Sequence, residues 1–552
     1  MIGLNTTNER DRTVTRLLNP DIEVPYPDVN ALWSSIEAKL TSKEEGTATV
    51  MNGPQRNGGA RKAVLLTAAA ALLVATPVFA AIANDWDRFP IFNTGVRSAL
   101  LQGMGQPIEQ TVQREGVKLT INTAIMDDNR LTLLFSVFAP GMKSDQIARF
   151  AKVSLYSKEG EMIEGEQRVQ WDSESKCWRG YFETYEHPGS LTSDVRLTAE
   201  NWQVYAAAEA ALPLRVTDEE DQTFTIDRDG IGSVQIRPIR QGDSILLASS
   251  VSFSRTEAKV WAFPEIGVYR GGDLVQPSSR AFGKPGENGA YTGQQTYNAD
   301  ELEGEVAYKL MYTRKLAETD GRWSLDLRLD KRQMLAGTIR EKLDIPVISA
   351  AGAMTFKEMI VTPTQIRLVA VHERYGKLPY QKHRLEVDRE AIGNYSTGIW
   401  SGTPYKSTFR YELPPGVKVT EETPITFVMR HETVEHDDAA DPIRLSNISD
   451  KRQTITTNVG GYPVTWTYYT QDGDLYVASE SDDPRFGGIN QTYMRESEKS
   501  TIPGEPVTVN FTGDGINRAI DVYRDFKGKD ADIYIYYYTT DTPDKEVRVS
   551  VR

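Results

Sequence analysis

The residue types most suited to chemistry are concentrated in residues 431–438 (HETVEHDD). Two histidines and four carboxylates are ligand types that a divalent metal accepts. The zinc motif of helical metalloproteases needs histidines four positions apart, whereas His431 and His436 are five apart and follow the strand-like stretch PITFVMR. Side chains an odd number of positions apart on a strand point to opposite faces. We therefore expect a solvated acidic loop and no metal site.

Other catalytic signatures are absent from the sequence. It contains no Gly-x-Ser-x-Gly elbow, phosphate-binding loop or dinucleotide fingerprint. The single cysteine, Cys177, cannot form an intramolecular disulfide or a cysteine-based zinc site, and we expect it to have no redox role. We expect no catalytic residues, no cofactor and no enzymatic activity.

The charge distribution excludes one class of partner. The net charge is −14, and residues 1–62 carry eight basic and eight acidic side chains, so the whole excess lies after the apolar segment described next. Phosphate backbones are bound by clustered lysine and arginine. The composition therefore argues against nucleic acid as a partner.

Residues 63–83 (AVLLTAAAALLVATPVFAAIA) form an uncharged stretch of 21 residues. As a helix it would span about 32 Å, enough to cross a hydrocarbon core of about 30 Å. Basic residues precede it and Asp85 and Asp87 follow it, which places the N-terminus in the cytoplasm and residues 84–552 outside. The alternatives are a signal peptide cleaved after Ala80, which the 62 preceding residues disfavour, and a buried core helix.

The tail before this segment, residues 1–62, contains one amphipathic helix, predicted over residues 28–41. Asp28 is a suitable N-cap, and the apolar residues after it recur at helical spacing. The stripe either packs within the tail or on lipid, or binds a cytoplasmic partner. Its residues, the candidate partner-binding site, are Val29, Leu32, Trp33, Ile36 and Leu40.

The exported region shows a strand, polar turn and strand pattern four times. The stretches are residues 116–138, 232–253, 353–371 and 461–481, which start 116, 121 and 108 residues apart. Such a period is typical of β-sandwich domains in tandem. We predict a mainly β protein with immunoglobulin-like modules over residues 84–225, 226–350, 351–450 and 451–552. A tyrosine cluster at 534–538 favours sheet packing over a binding surface.

Residues 61–140 resemble the family of Gram-positive membrane proteins called domain of unknown function 4179. The resemblance rests on RKAVLLTAAAALLVATPVFA, on Phe89-Pro90-Ile91-Phe92, on a helical stretch ending near Gln106, and on residues 116–138. The tail sequence DIEVPYPDVNALWSSIEAKL is also similar to the helix that precedes the membrane segment in such proteins. The resemblance implies an anti-sigma-factor-like architecture, with a sigma factor as the cytoplasmic partner.

Two functions follow from these features. The first is a single-pass membrane regulator whose exported β modules sense a cell-wall or peptide ligand and whose tail helix signals to a cytoplasmic partner. The alternative is a membrane-tethered surface-binding or structural protein whose tail is only an anchor. The first pairs a large exterior with an amphipathic cytoplasmic helix, and the second predicts that the tail is dispensable.

Overall fold

The computed structural model describes Trp86 and residues 93–552, apart from 142, 187–189, 219, 242–243, 284–288, 351, 373–379, 393–394, 401–403, 438–440, 498–499 and 510–516. All described residues lie in one compact unit, residues 75–552. Within them no helix combines the length and apolarity needed to cross a bilayer. The predicted transmembrane segment, 63–83, and the predicted tail helix, 28–41, lie outside the described residues.

The described residues of the first half of the chain begin with one helix, α1 (Thr94–Leu101). The strands that follow, in chain order, are β1 (Gln106–Arg114), β2 (Val117–Met126), β3 (Leu131–Phe138), β4 (Gln146–Ser157), β5 (Met162–Ile163), β6 (Glu166–Asp172), β7 (Cys177–Thr184), β8 (Thr192–Leu212), β9 (Gln222–Arg228), β10 (Ile231–Gln241), β11 (Ser244–Phe253), β12 (Glu265–Arg270), β13 (Asp273–Val275), β14 (Ser279–Phe282), β15 (Tyr291–Asn298) and β16 (Val306–Asp330).

The second half continues with strands alone. They are β17 (Ile339–Ser349), β18 (Gly352–Val361), β19 (Gln365–His372), β20 (Tyr380–Val387), β21 (Glu390–Ile392), β22 (Tyr395–Trp400), β23 (Tyr405–Glu412), β24 (Ile425–His436), β25 (Ile443–Leu445), β26 (Gln453–Val459), β27 (Tyr462–Gln471), β28 (Asp474–Glu480), β29 (Phe486–Ser497), β30 (Ser500–Pro503), β31 (Glu505–Val509), β32 (Ala519–Tyr523) and β33 (Ala531–Ser550). Short 3-10 helices span Thr256–Val260, Ala299–Leu302 and Arg332–Gly337. The protein is mainly β, as predicted.

Six sheets form from these strands, three in each half. In the first half, sheet A has the order β1-β2-β3-β7-β6, sheet B the order β13-β12-β16-β8-β4-β5, and sheet C the order β14-β15-β11-β10-β9. In the second half, sheet D has the order β17-β18-β19-β23-β22, sheet E the order β21-β20-β24-β33-β29-β30 with β25 beside β33, and sheet F the order β26-β27-β28-β32-β31. Strand for strand, sheets D, E and F repeat sheets A, B and C.

The repeat is regular along the chain. Strand β2 begins at residue 117 and its counterpart β18 at 352, a separation of 235; β10 begins at 231 and its counterpart β27 at 462, a separation of 231. The repeating unit is therefore about twice as long as the module predicted from the four hairpins, because each unit contains two of them.

Each half contains two cores on opposite ends of one shared sheet. Sheet A packs on sheet B through a cluster that includes Phe135, Phe150 and Trp323, and sheet C packs on the other end of sheet B around Trp261. Sheets D, E and F repeat this arrangement. The 21-residue β8 and the 25-residue β16 run through both cores of their half.

The four predicted hairpins are all present. Strand β2 pairs with β3, β10 with β11, β18 with β19, and β27 with β28, each antiparallel. The β9–β10 and β27–β28 connections are two-residue turns, Asp229-Gly230 and Asp472-Gly473, with positive φ at both positions. Such turns match the twist of the flanking strands. Local alternation and turn chemistry therefore determine these pairings.

Two of the predicted module boundaries fall inside continuous sheets. The division after residue 225 falls inside β9, and the one after 350 falls within the β17–β18 hairpin of sheet D. Strand β16 lies beyond the second predicted hairpin in sequence, yet its last residues complete the core of sheet A. The module boundaries stay predictions. Sheet C continues across the boundary at residue 225, and sheet D continues across the boundary at residue 350.

Residues 431–436 are not the solvated loop that the sequence suggested. They continue β24, which pairs with β33, and His431 and Glu432 are each 3% exposed. A register shift between Arg430 and Glu432, with His431 at φ 66°, changes the alternation of faces at this point. Glu432 accepts from Lys545 Nζ at 2.6 Å. Among the described residues no cluster of three metal-ligating side chains forms.

Substitution of Trp323 tests whether β16 stabilises the core between sheets A and B. It is fully buried, and its indole Nε1 donates to the carbonyl oxygen of Val117 at 3.0 Å. We expect Trp323→Ala to lower the free energy of unfolding by about 3–5 kcal/mol, because it opens a cavity in the core. Denaturant unfolding measures this. Ile348→Ala, at a residue 81% exposed, is the control and should change little; equal losses in both variants would contradict the packing described.

His383 makes stability depend on pH. Burial beside Phe409 and Phe427 lowers the pKa of His383 from 6.5 to about 4. The unfolded chain takes up a proton below pH 6.5 and the folded chain does not until about pH 4. The free energy of unfolding should therefore fall by up to about 3 kcal/mol as the pH drops through this window. Denaturant titrations at several pH values should show a shallower fall for His383→Leu; parallel curves would refute it.

Candidate functional site

The two halves meet through equivalent hairpin turns. Residues 127–130 join β2 to β3, and residues 362–365 join β18 to β19. Each turn is closed by a backbone bond from its first N–H to its last carbonyl, at 3.0 Å in the first and 2.9 Å in the second. Asn129 Nδ2 donates to the carbonyl oxygens of Ile360 and Gln365 at 3.2 and 3.3 Å, and Thr364 Oγ1 donates to Asp127 Oδ2 at 2.5 Å.

Arg130 carries the buried charge of this junction. Its side chain is 0% exposed and forms ion pairs with Glu183 of β7, at 3.3 Å, and with Glu412 of β23. The two glutamates are about one-tenth exposed. One carboxylate comes from each half of the chain, so a single guanidinium links both halves.

The start of α1 binds the same two carboxylates. Asn93 Nδ2 donates to both oxygens of Glu183 at 3.1 and 3.3 Å, and the backbone N–H of Gly95 donates to Glu412 Oε2 at 3.1 Å. A Cβ atom on Gly95 would overlap the carbonyl oxygen of Thr364. Position 95 therefore requires glycine, because the helix backbone lies directly against the second half.

Burial and the neighbouring charges determine the pKa shifts at the junction. Burial opposes the charge on Arg130, but Glu412 and Glu183 outweigh it, so the pKa of Arg130 is raised. Burial raises the pKa of Glu412, with Arg130 and the Gly95 N–H acting against that shift. Asp128 binds Lys331 at 2.8 Å and also pairs with Arg340 of β17. The arrangement clamps the two halves together.

A second contact between the halves lies on sheets C and F. Cross-strand partners Ile239 and Leu246 of the first half form one apolar cluster with cross-strand partners Tyr469 and Tyr476 of the second. Arg237 also pairs with Asp472 at 3.5 Å. The cross-strand pair Ile239–Leu246 in sheet C and the cross-strand pair Tyr469–Tyr476 in sheet F occupy equivalent positions.

Equivalent elements therefore meet at both contacts, turn against turn and sheet face against sheet face. Contact between the same patch on two copies defines an isologous interface, which has two-fold symmetry. The halves pack around a pseudo-two-fold axis. Arg130 breaks the symmetry, because its counterpart in the second half is Gln365.

A cleft of about 1130 Å³ lies beside the Arg130 junction and is the candidate functional site. It lies between the outer faces of sheets A and D. Glu183 and Asn93 line it as well as forming the junction, so the cleft and the clamp share side chains. The charged residues that line it are Glu164, Glu166, Arg168, Glu183, Glu186, Glu358, Arg367, Lys406 and Arg410.

Tyrosines add aromatic surface to the cleft. The Arg410 guanidinium lies 4.3 Å from the ring centre of Tyr185, and Arg130 lies 6.0 Å from the same ring. Tyr181 also lines the cleft and packs against α1 in the apolar cluster of Trp86, Val96 and Leu100. The cleft can therefore contact polar, charged and aromatic groups of a ligand.

Of the residues singled out in the sequence, those that the structure describes do not line the cleft. Val29, Leu32, Trp33, Ile36 and Leu40 lie outside the described residues. Cys177 is buried as a free thiol. In the tyrosine cluster, Tyr538 is 5% exposed in a core and Tyr536 is 64% exposed.

Sequence reasoning missed the junction. Residues 127–130 (DDNR) read as the solvated turn of a hairpin, and the same is true of residues 362–365 (TPTQ). The one local signal is an arginine placed directly before the apolar run LTLLF, where burial of the backbone begins. Only the distant partners, Glu183 and Glu412, explain its charge.

Arg130→Met tests the clamp. Removing the cation leaves two buried carboxylates without their partner, so we expect the free energy of unfolding to fall by about 3–5 kcal/mol in denaturant titrations. Arg196→Met breaks an exposed pair with Asp326 and should change the free energy of unfolding little. Adding Glu412→Gln to Arg130→Met should recover part of the loss. Equal losses at positions 130 and 196 would show that the junction is not held by this charge.

Comparisons with known proteins give a family match and matches to solved structures. Residues 57–139 match the family described as Domain of unknown function (DUF4179). No curated protein matches the chain. The crystal structure of the conserved domain protein from Bacillus anthracis aligns at 10% identity over 84% of this chain and 95% of that one, with a TM-score of 0.33, and at that score carries no argument.

The matched range contains α1, β1, β2, the junction turn with Arg130, and β3. The resemblance predicted from residues 61–140 is confirmed. The chain carries a DUF4179 domain over residues 57–139. That domain supplies α1 and Arg130, which join the two halves of the chain.

Proposed function

We propose that this protein is a single-pass membrane regulator whose exterior binds a ligand and whose cytoplasmic tail reports the bound state. Residues 63–83 cross the bilayer in this proposal, with the N-terminus in the cytoplasm and the β-rich region outside. The exterior is built of immunoglobulin-like modules that bind a cell-wall or peptide ligand in the cleft. The protein acts by binding rather than by catalysis.

One observation carries the proposal: the start of α1 is bonded to a carboxylate from each half. Asn93 bonds to Glu183 and Gly95 bonds to Glu412. Glu183 and Asn93 also line the cleft. A ligand that draws on these groups changes the hydrogen bonds at the start of the helix.

The family match supports a connection from this helix to the apolar segment. It runs without interruption over residues 57–139, and so includes both 63–83 and α1. Only a short stretch of chain therefore separates α1 from the predicted membrane helix. Beyond it, Val29, Leu32, Trp33, Ile36 and Leu40 form the apolar stripe that would bind the cytoplasmic partner.

The anti-sigma-factor-like resemblance supports a sigma factor as that partner. In this proposal the tail helix binds it through an apolar face, in the manner of an amphipathic helix in a groove. Trp33 is the largest side chain of the stripe and is the expected anchor, since aromatic anchors dominate such interfaces.

Two assays on the full-length chain test the proposal: capture of sigma factors by the detergent-solubilised protein, in which the tail is accessible, and protease digestion of sealed membrane vesicles with the β-rich region outside. The wild-type tail should retain a sigma factor of the source organism, and Trp33→Ala should lose at least about tenfold in affinity. Protease added to the outer side should remove residues after 84 and leave the tail protected. Gly95→Ala should alter capture, because it displaces α1 from Thr364.

Leu101→Ala is the control for position 95. Leu101 belongs to the same helix but is 46% exposed, so its truncation should leave capture unchanged. Loss of the tail to protease would refute the topology. If deleting residues 1–50 leaves every phenotype intact, the alternative of a surface protein with a passive anchor is correct.

A further inference from the structure

Two arginines face each other across adjacent strands on the floor of the cleft. Arg367 of β19 and Arg410 of β23 are direct cross-strand partners. Like charges placed directly opposite one another destabilise a sheet. The equivalent pair in the first half is Thr132 and Glu183, where the hydroxyl donates to the carboxylate at 3.0 Å. The second half therefore keeps an unfavourable pair where the first has a favourable one.

Among the described residues, one carboxylate forms an ion pair with these two arginines: Glu358 binds Arg367 at 3.2 Å. Arg410 forms no ion pair within the same residues, and the Nε atoms of both arginines are buried without a hydrogen-bond acceptor. Glu183, whose charge acts on Arg410, is already bonded to Arg130, Thr132 and Asn93.

The surroundings of Arg410 point the same way. Burial lowers the pKa of Arg410; Tyr185 acts most strongly against that shift, the charges of Arg367 and Arg130 add to it, and Glu183 opposes it. The guanidinium lies 4.3 Å from the centre of the Tyr185 ring, and both residues line the cleft. A guanidinium edge is suited to a planar oxyanion.

Further polar groups extend this surface. Lys406 and Thr408 lie on β23 at alternate positions from Arg410, so all three share one face, and all line the cleft. We name Arg367, Lys406 and Arg410 the basic floor. Glu164, Glu166 and Glu186 line the cleft from the first half.

We propose that the basic floor is an oxyanion subsite that binds a carboxylate or phosphate of the ligand. The inference rests on the proposed function, in which the cleft is the ligand site. The oxyanion accepts hydrogen bonds from the unused donors of Arg410 and Arg367 and from Lys406, and it neutralises a repulsion that the empty site retains.

Binding of inorganic phosphate and of acetate to the purified full-length chain tests the subsite. Thermal unfolding is followed while each anion replaces chloride at constant ionic strength. The wild-type midpoint should rise and saturate with at least one anion. Arg410→Gln should weaken binding about tenfold, because a charged hydrogen-bond donor is lost. Arg314→Gln, at an exposed arginine of β16 outside the cleft, is the control and should bind as wild type does.

The midpoint of thermal unfolding in chloride alone distinguishes a loss of anion binding from a loss of stability. Because Arg410→Gln removes a like-charge contact, this variant should unfold no earlier than wild type when only chloride is present. A saturable rise with phosphate alone assigns the subsite to phosphate groups, and one with acetate assigns it to carboxylates.

Absence of any saturable rise, or an equal rise in wild type and Arg410→Gln, would overturn the proposal. Sigma-factor capture by the tail is measured separately and does not depend on either anion. Failure of the subsite therefore leaves the proposed membrane regulator standing, and failure of capture leaves the subsite standing.

Discussion

The structure depends on one buried guanidinium. Arg130 lies between Glu183 of the first half and Glu412 of the second, and the same carboxylates bind the start of α1. A buried charge with partners in two bodies holds them in one relative position, because any separation leaves a carboxylate without its cation. The cleft lies beside this clamp and shares Glu183 with it, so the proposed ligand site and the start of α1 draw on one set of bonds.

Local patterns in the sequence predict part of this architecture. The hairpins at 116–138, 232–253, 353–371 and 461–481 follow from alternation and turn residues, which act over a few positions. The sharing of β8 and β16 between two cores does not follow, because strand order between distant segments leaves no period in the sequence. Arg130 was missed for the same reason, since a polar turn that docks on a distant turn reads like one in solvent. His431 was misread because a bulge hides the alternation of β24.

The two halves share one topology but differ in sequence where they meet. Sheet order is the same, and equivalent turns and equivalent sheet faces are in contact. In a homodimer, both copies of such an interface must carry identical residues. Within one chain that constraint is lifted, so Arg130 corresponds to Gln365, and Glu183 corresponds to Arg410. The cleft accordingly takes four of its five lining glutamates from the first half and three of its four basic residues from the second.

The long strands have a mechanical consequence. A strand of 25 residues such as β16 extends over about 80 Å, less its twist, without a break between the two cores of its half. The ladder that joins it to β8 shifts register between Lys315 and Ala317 and between Thr319 and Arg322, and such bulges bend a strand. The two cores of the first half are therefore joined by unbroken backbone at the place where their shared sheet bends.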